Sequence, residues 1–105
     1  MTIYGIKTCD TCRKAAKALP EASFRDIRTN PLTETELANL LLEFGDALIN
    51  RASTTWRGLP EETRGQEAQT LLAAHPTLMK RPVIQAGAKF YLGWKADVQS
   101  ALAAR

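Results

Sequence analysis

Both cysteines of the chain stand in one stretch, Cys9-Asp10-Thr11-Cys12, with Arg13 and Lys14 directly behind. Two cysteines scattered over 105 positions fall three apart in roughly 2% of arrangements, so the spacing calls for a reason. Thiol chemistry at a helix N-terminus supplies one. An ordinary thiol, with a pKa of about 8.5, is only a few per cent ionised at neutral pH, and the thiolate is the nucleophile. The free N–H groups and positive dipole end of a helix start favour that thiolate. The stretch follows the apolar run Ile3-Tyr4-Gly5-Ile6 and precedes a helical pattern, which puts Cys9 at the N-cap or just before it. Cys12 falls one turn in, on the apolar stripe, and should be less exposed. Cys9 is therefore expected to attack, and Cys12 at most to resolve.

Other uses of the pair fit less well. A zinc site needs about four ligands, and beyond the two cysteines there is one histidine, His75, so no metal centre is expected. Packing alone is the remaining alternative, because free cysteine is often buried. Elsewhere, Lys80-Arg81-Pro82-Val83 opens a strand with a proline. Either that end lies at a sheet edge with Arg81 solvated, or Arg81-Pro82 is cis and leaves backbone groups beside the first helix open to a substrate chain. Arg51 and Arg57 flank Ser53-Thr54-Thr55-Trp56 and could grip an oxyanion bidentately, although a solvated loop is the commoner explanation. Trp56 and Trp94 read as packing residues, and His75 as a helix-end residue.

The elements that must position these residues can be read from periodicity. Thr2–Ile6 is a strand pattern, and Cys12, Ala15, Ala16 and Leu19 form a helical stripe from about Asp10 until Pro20 stops it. Phe24–Ile27 reads as a second strand. Thr33-x-x-Glu36 is a capping-box signature ahead of Leu37, Leu40, Leu41 and Phe44, and Gly45 is the expected terminator. Residues 46–58 read as irregular, with one short helix around Ala47–Asn50. Pro60 suits the first turn of a further helix that runs through Ala68, Leu71 and Leu72 to His75. Pro82–Gln85, a turn at Ala86-Gly87, and Lys89–Leu92 read as a hairpin, and Val98, Ala101 and Leu102 mark a last helix. The order is β-α-β, a helical insert, then β-β-α. The expectation is an α/β fold, one four-stranded sheet carrying helices, in a single domain of 105 residues.

Composition narrows the function. A net charge of +3, spread thinly with a small concentration at Lys7, Arg13, Lys14 and Lys17, is too little for a nucleic-acid footprint but suits a small anion or a thiolate. No apolar run is long enough for a membrane span, and the N-terminal residues carry no signal-peptide pattern. A cytosolic protein without nucleic-acid or membrane partners is expected, and there two cysteines are more often reactive than structural.

Four motifs in order resemble the ArsC/Spx family, and its YffB-like branch in particular. They are Tyr4 to Ala15, Thr54-Thr55-Trp56-Arg57-x-Leu59, Lys80-Arg81-Pro82-Val83 and Leu92-Gly93-Trp94. The resemblance implies a thioredoxin-like fold, a four-stranded mixed sheet with flanking helices, split by a central all-helical insertion. Its parts would be about 1–30 and 80–105, with the insertion at about 31–79. It implies that Cys9 is the nucleophilic cysteine, that Arg81 helps bind an oxyanion and that Pro82 is the cis proline. Arg13 and Arg51 are further candidates for holding substrate or glutathione. The implied activity is that of a glutathione-dependent thiol reductase, with glutathione as co-substrate and no bound cofactor. A glutaredoxin or a protein disulfide is a further partner, and the chain is expected to be monomeric. Two alternatives stand beside it: an arsenate reductase, and a Spx-like redox regulator that binds RNA polymerase. Two departures from the family pattern weigh against arsenate. Cys12 stands where arsenate reductases usually carry serine or another residue, and Ala52 stands where the family tends to place an arginine, with Arg51 just before it.

Overall fold

A computed structural model gives the structure, which describes residues 1–104. The chain begins β1 (Thr2–Gly5), α1 (Asp10–Ala18) and β2 (Ser23–Asp26). It continues through α2 (Glu34–Phe44), α3 (Thr54–Arg57), α4 (Glu61–Arg64) and α5 (Ala68–Ala74), then β3 (Val83–Ala86), β4 (Lys89–Leu92) and α6 (Ala96–Ala103). Residues divide into two compact units. One holds Met1–Asn30 with the segment from Arg81 onward, and the other holds Pro31–Lys80.

The first unit is a four-stranded mixed sheet of order β2-β1-β3-β4, with β1 and β2 parallel and the other pairs antiparallel. α1 and α6 flank it, as expected of a thioredoxin-like fold. Alternation along β1 sends Ile3 to the face where α1 supplies Ala15 and α6 supplies Val98 and Leu102, with Ile84 of β3 alongside. Ile3 and Ile84 are fully enclosed, and burying one such side chain stabilises by about 1.5–3 kcal/mol. β3 pairs with β1 on one side and β4 on the other, so Pro82 does not open an edge strand. The Arg81-Pro82 peptide is cis. The hairpin turn falls at Gly87-Ala88, one residue later than the sequence suggests, because Ala86 pairs with Lys89. Gly87 takes the positive φ of 63° that the first position of a type II′ turn requires.

In the second unit the capping box is complete. Thr33 Oγ1 accepts from the Glu36 N–H at 3.1 Å, and Glu36 Oε1 accepts from the Thr33 N–H at 2.8 Å. Gly45 at φ 57° ends α2. Leu37 and Leu40 of α2 and Leu71 and Leu72 of α5 form buried faces. Residues 48–50 lie against 78–80: Ile49 bridges Met79, the Asn50 N–H donates to Leu78 O at 2.8 Å, and the Lys80 N–H donates to Leu48 O at 2.7 Å.

Two sequence expectations need correction here. The stretch 46–58 is more ordered than its pattern suggests. A 3₁₀ turn covers Gly45–Leu48, and α3 follows because Ser53 caps it, its hydroxyl accepting from the Trp56 N–H at 3.1 Å. The helix expected from Pro60 to His75 is two helices. Pro60 stands outside α4 as its N-cap, and the Gly65 N–H closes back onto Glu61 O at 3.3 Å, ending α4 before α5 starts at Ala68.

Candidate functional site

α1 starts where the sequence places it, and Cys9 is its N-cap residue, with extended backbone at φ −84° and ψ 122°. Cys9 is half-buried and Cys12 is fully enclosed, and both are free thiols. Partial burial pushes the Cys9 thiol up, and it is the largest single influence on that group. The Cys12 backbone N–H, the Cys12 thiol and the Arg81 guanidinium, by hydrogen bond and by charge, together outweigh it. The net direction is down. The sulfur makes no capping bond of regular geometry, but the N–H of the first turn faces it closely enough to favour the thiolate.

Cys12 goes the other way. Burial pushes it up to about 12, against the Ile6 backbone, and Cys9 next to it adds to the rise. At neutral pH Cys12 keeps its proton and can donate it towards the Cys9 sulfur. Deeper burial of Cys12, against the hydrogen bonds and the Arg81 charge at Cys9, thus splits one pair of like side chains into a donor and an acceptor.

Gly5 explains how Cys12 fits. A Cβ at Gly5 would stand 2.6 Å from Cys12 Sγ, 3.1 Å from Cys12 Cβ and 3.3 Å from the Phe24 ring. Only a glycine in β1 lets the α1 sulfur sit this close to the strand. The Gly in Ile3-Tyr4-Gly5-Ile6 carried that signal, since an isolated glycine inside a strand marks a close approach.

The structure brings Cys9, Cys12 and Arg81 together in the first unit, with Pro82 fastened by the Gly93 N–H, which donates to Pro82 O at 2.8 Å. Arg13 has a different occupation: its Nε donates to Lys7 O at 2.8 Å, and its guanidinium lies 3.9 Å from Asp10. Arg51 belongs to the second unit and does not present an open fork. Both of its terminal nitrogens meet the Asp46 carboxylate at 2.8 Å, and its guanidinium lies 5.0 Å from the Trp56 ring centre. The Arg64 guanidinium approaches the same ring at 5.8 Å, so Trp56 is a stacking surface for two guanidinium groups, and Arg57 donates to Ala52 O at 2.8 Å. Ala52 itself offers no guanidinium.

Asp26 is the residue that the pattern of charges failed to single out. It ends β2 opposite Gly5 and is 5% exposed, a buried charge in a strand whose inward position a hydrophobic residue would ordinarily take. Its Oδ2 accepts from the Lys7 N–H at 3.0 Å and its Oδ1 from the Arg28 N–H at 2.9 Å. These backbone donors hold its carboxyl below the usual carboxylate range, against the effect of burial. The ionised form therefore stabilises the fold above the unfolded carboxylate value of about 3.9, and that contribution is lost as pH falls through the lower folded value. An acid two residues after Phe24, on the same strand face, was the available signal.

A thiol at a helix start, an enclosed second thiol one turn on and an arginine before a cis proline make up the site. The ArsC family model matches residues 4–102. The chain belongs to the ArsC family. An uncharacterized protein of Haemophilus influenzae is 39% identical, with 98% of this chain and 99% of that protein covered. The global transcriptional regulator Spx of Bacillus subtilis is 29% identical over 92% of this chain and 82% of its own length. Among solved structures, the YFFB protein superposes with a TM-score of 0.85 at 33% identity, covering 95% of this chain and 96% of its own. An arsenate reductase (ArsC) related protein from Brucella melitensis superposes with a TM-score of 0.74 at 37% identity, covering 95% and 91%. The relatives of this ArsC-family chain thus include a transcriptional regulator and a protein described as related to arsenate reductase.

Proposed function

We propose that this ArsC-family protein is a cytosolic thiol reductase that draws its electrons from glutathione, with Cys9 as the attacking thiolate. The observation that carries the reading is the asymmetry between the two thiols: Cys9 half-buried at the N-cap of α1 beside Arg81 and lowered, Cys12 fully enclosed one turn on and pushed up. In the first step the Cys9 thiolate attacks the glutathione sulfur of a mixed disulfide. The new Cys9–glutathione disulfide forms as the old S–S bond breaks, and the released substrate thiolate takes up a proton. In the second step a free glutathione thiolate attacks the glutathione sulfur of that adduct, returning Cys9 as thiolate and yielding oxidised glutathione. Two electrons pass from glutathione to the substrate. Arg81, beside Cys9, offsets negative charge on the incoming glutathione and on the leaving thiolate.

Cys12 is a poor resolving group by the same chemistry. Buried and pushed up to about 12, Cys12 stays protonated at pH 7, whereas a few per cent of an ordinary solvent thiol is thiolate. Burial, the main cause, persists once Cys9 is in an adduct. Solvent glutathione therefore outcompetes Cys12, and the route is monothiol. Arsenate stays the alternative substrate, although Arg51 is paired with Asp46 and Ala52 carries no charge. No helix among the described residues is long and apolar enough to cross a membrane.

The test is turnover of a small glutathione mixed disulfide, followed through glutathione reductase and NADPH. Cys12→Ser is expected to keep at least about a third of the wild-type rate, since serine fits the same space and its hydroxyl can still donate to the Cys9 sulfur. A fall below about a tenth, with Cys9 still open to alkylation, would make the enzyme a dithiol reductase. Rapid arsenate reduction with no turnover of the mixed disulfide would move the assignment to arsenate.

A further inference from the structure

The Cys9 sulfur owes its place to a tight turn that joins β1 to α1. The Cys9 N–H donates to Ile6 O at 3.0 Å, which closes the turn and leaves Lys7 and Thr8 as its two central residues. Both central residues are exposed, and such a turn would ordinarily be free to shift. Here three side chains hold it. Asp26 takes the Lys7 N–H, Arg13 Nε donates to Lys7 O, and the Arg28 guanidinium donates to Thr8 Oγ1 at 3.2 Å. Of the three, Arg13 and Arg28 are exposed and Asp26 is buried. Asp26 is also the link between two of the three anchors: its Oδ1 accepts the Arg28 N–H at 2.9 Å and lies 3.9 Å from Arg28 Nε.

We propose that Asp26 is a positioning residue for Cys9: from the end of β2 it locks the Ile6–Cys9 turn and so fixes the sulfur against the first turn of α1. This rests on the reading of Cys9 as the reactive thiol. Asp26 touches neither the sulfur nor a substrate. It acts through the backbone of Lys7 and, by way of Arg28, through the hydroxyl of Thr8. The groups facing it are the amides of Lys7, Arg28 and Thr29 and the Arg28 guanidinium. With the carboxylate gone, the turn relaxes and the sulfur drifts from the N–H groups that favour its ionised form.

The sign of the effect separates positioning from plain electrostatics. Removing a negative charge would by itself favour the Cys9 thiolate, whereas loosening the turn disfavours it. The experiment is the rate of iodoacetamide alkylation of Cys9 against pH, with the modified residue identified by mass spectrometry. Asp26→Asn, which keeps the shape and one acceptor, is expected to raise the midpoint by about half a pH unit or more. At a pH well below both midpoints the rate then falls about threefold or more. Thr8→Val removes the Arg28 anchor without changing any charge and is expected to move the midpoint the same way, by less. Thr33→Ala, which weakens the capping box in the other unit, lowers stability and leaves the midpoint in place. Asp26→Asn and Thr8→Val profiles that superimpose on the wild type, or shift to lower pH, overturn the proposal. A wild-type Cys9 that alkylates no faster than free cysteine overturns the reactive-thiol reading instead, so the two failures are distinct.

Discussion

Cys9→Ser loses glutathione-supported turnover by about a thousandfold or more, because a serine hydroxyl is scarcely ionised where the thiolate is, and it cannot form the mixed disulfide. The loss should fall on turnover and on adduct formation together. Incubation with oxidised glutathione adds one glutathione to the wild type and to Cys12→Ser, and none to Cys9→Ser, when read by intact mass. The substitution leaves the fold in place, since Cys9 is half-buried and its side chain forms no regular capping bond. A urea midpoint close to that of the wild type checks this. Cys9→Ser protein that still turned over the mixed disulfide at a tenth of the wild-type rate would put the chemistry elsewhere in the molecule.

Gly5→Ala is expected to have the largest effect on stability, about 1–3 kcal/mol of destabilisation measured by urea unfolding. The new methyl would lie 2.6 Å from the Cys12 sulfur, so either α1 or β1 must move. Neither moves freely. Ile3 in β1 and Ala15 in α1 are fully enclosed in the same cluster. The effect is expected to couple to Cys12: in a Cys12→Ala background, where the sulfur is absent, Gly5→Ala should cost less by about 1 kcal/mol. Additive effects of the two substitutions would mean that the Cys12 sulfur is not what Gly5 accommodates. Displacing Cys12 also withdraws its thiol from Cys9, so Gly5→Ala should slow Cys9 alkylation at neutral pH.

These two positions show what the sequence could and could not disclose. Cys9 was legible because its evidence is local: an N-cap position follows from an apolar stripe that begins a few residues later. The capping box at Thr33 and Glu36 and the α1 stop at Pro20 were legible for the same reason. The four-stranded sheet followed from the order of elements, with the resemblance to the ArsC/Spx family supplying its thioredoxin-like name. Strand order settled what local pattern left open at Pro82, since an internal β3 leaves no edge there.

What escaped was long-range or very short. Asp26 lies nineteen residues from Lys7, and only the parallel pairing of β1 with β2 brings its carboxylate to that amide. A charged residue near a strand end reads as solvent-facing until the pairing is known. Arg51 looked like an anion ligand because its partner Asp46 sits five residues back, across a 3₁₀ turn that no apolar period announces. The four-residue helices α3 and α4 are too short to display a 3.6-residue period. Arg13, placed beside the thiols by its number alone, turns out to spend its Nε on the backbone of Lys7.

The central claim is that the fold lowers the Cys9 thiol below its ordinary value while burial keeps Cys12 protonated. The pH dependence of Cys9 alkylation in the native protein, followed residue by residue with mass spectrometry, tests it most directly. The account predicts a single midpoint for Cys9 clearly below the ordinary thiol value of about 8.5, with Cys12 unmodified until the protein unfolds. A Cys9 midpoint at or above that value, or Cys12 reacting first, would contradict it.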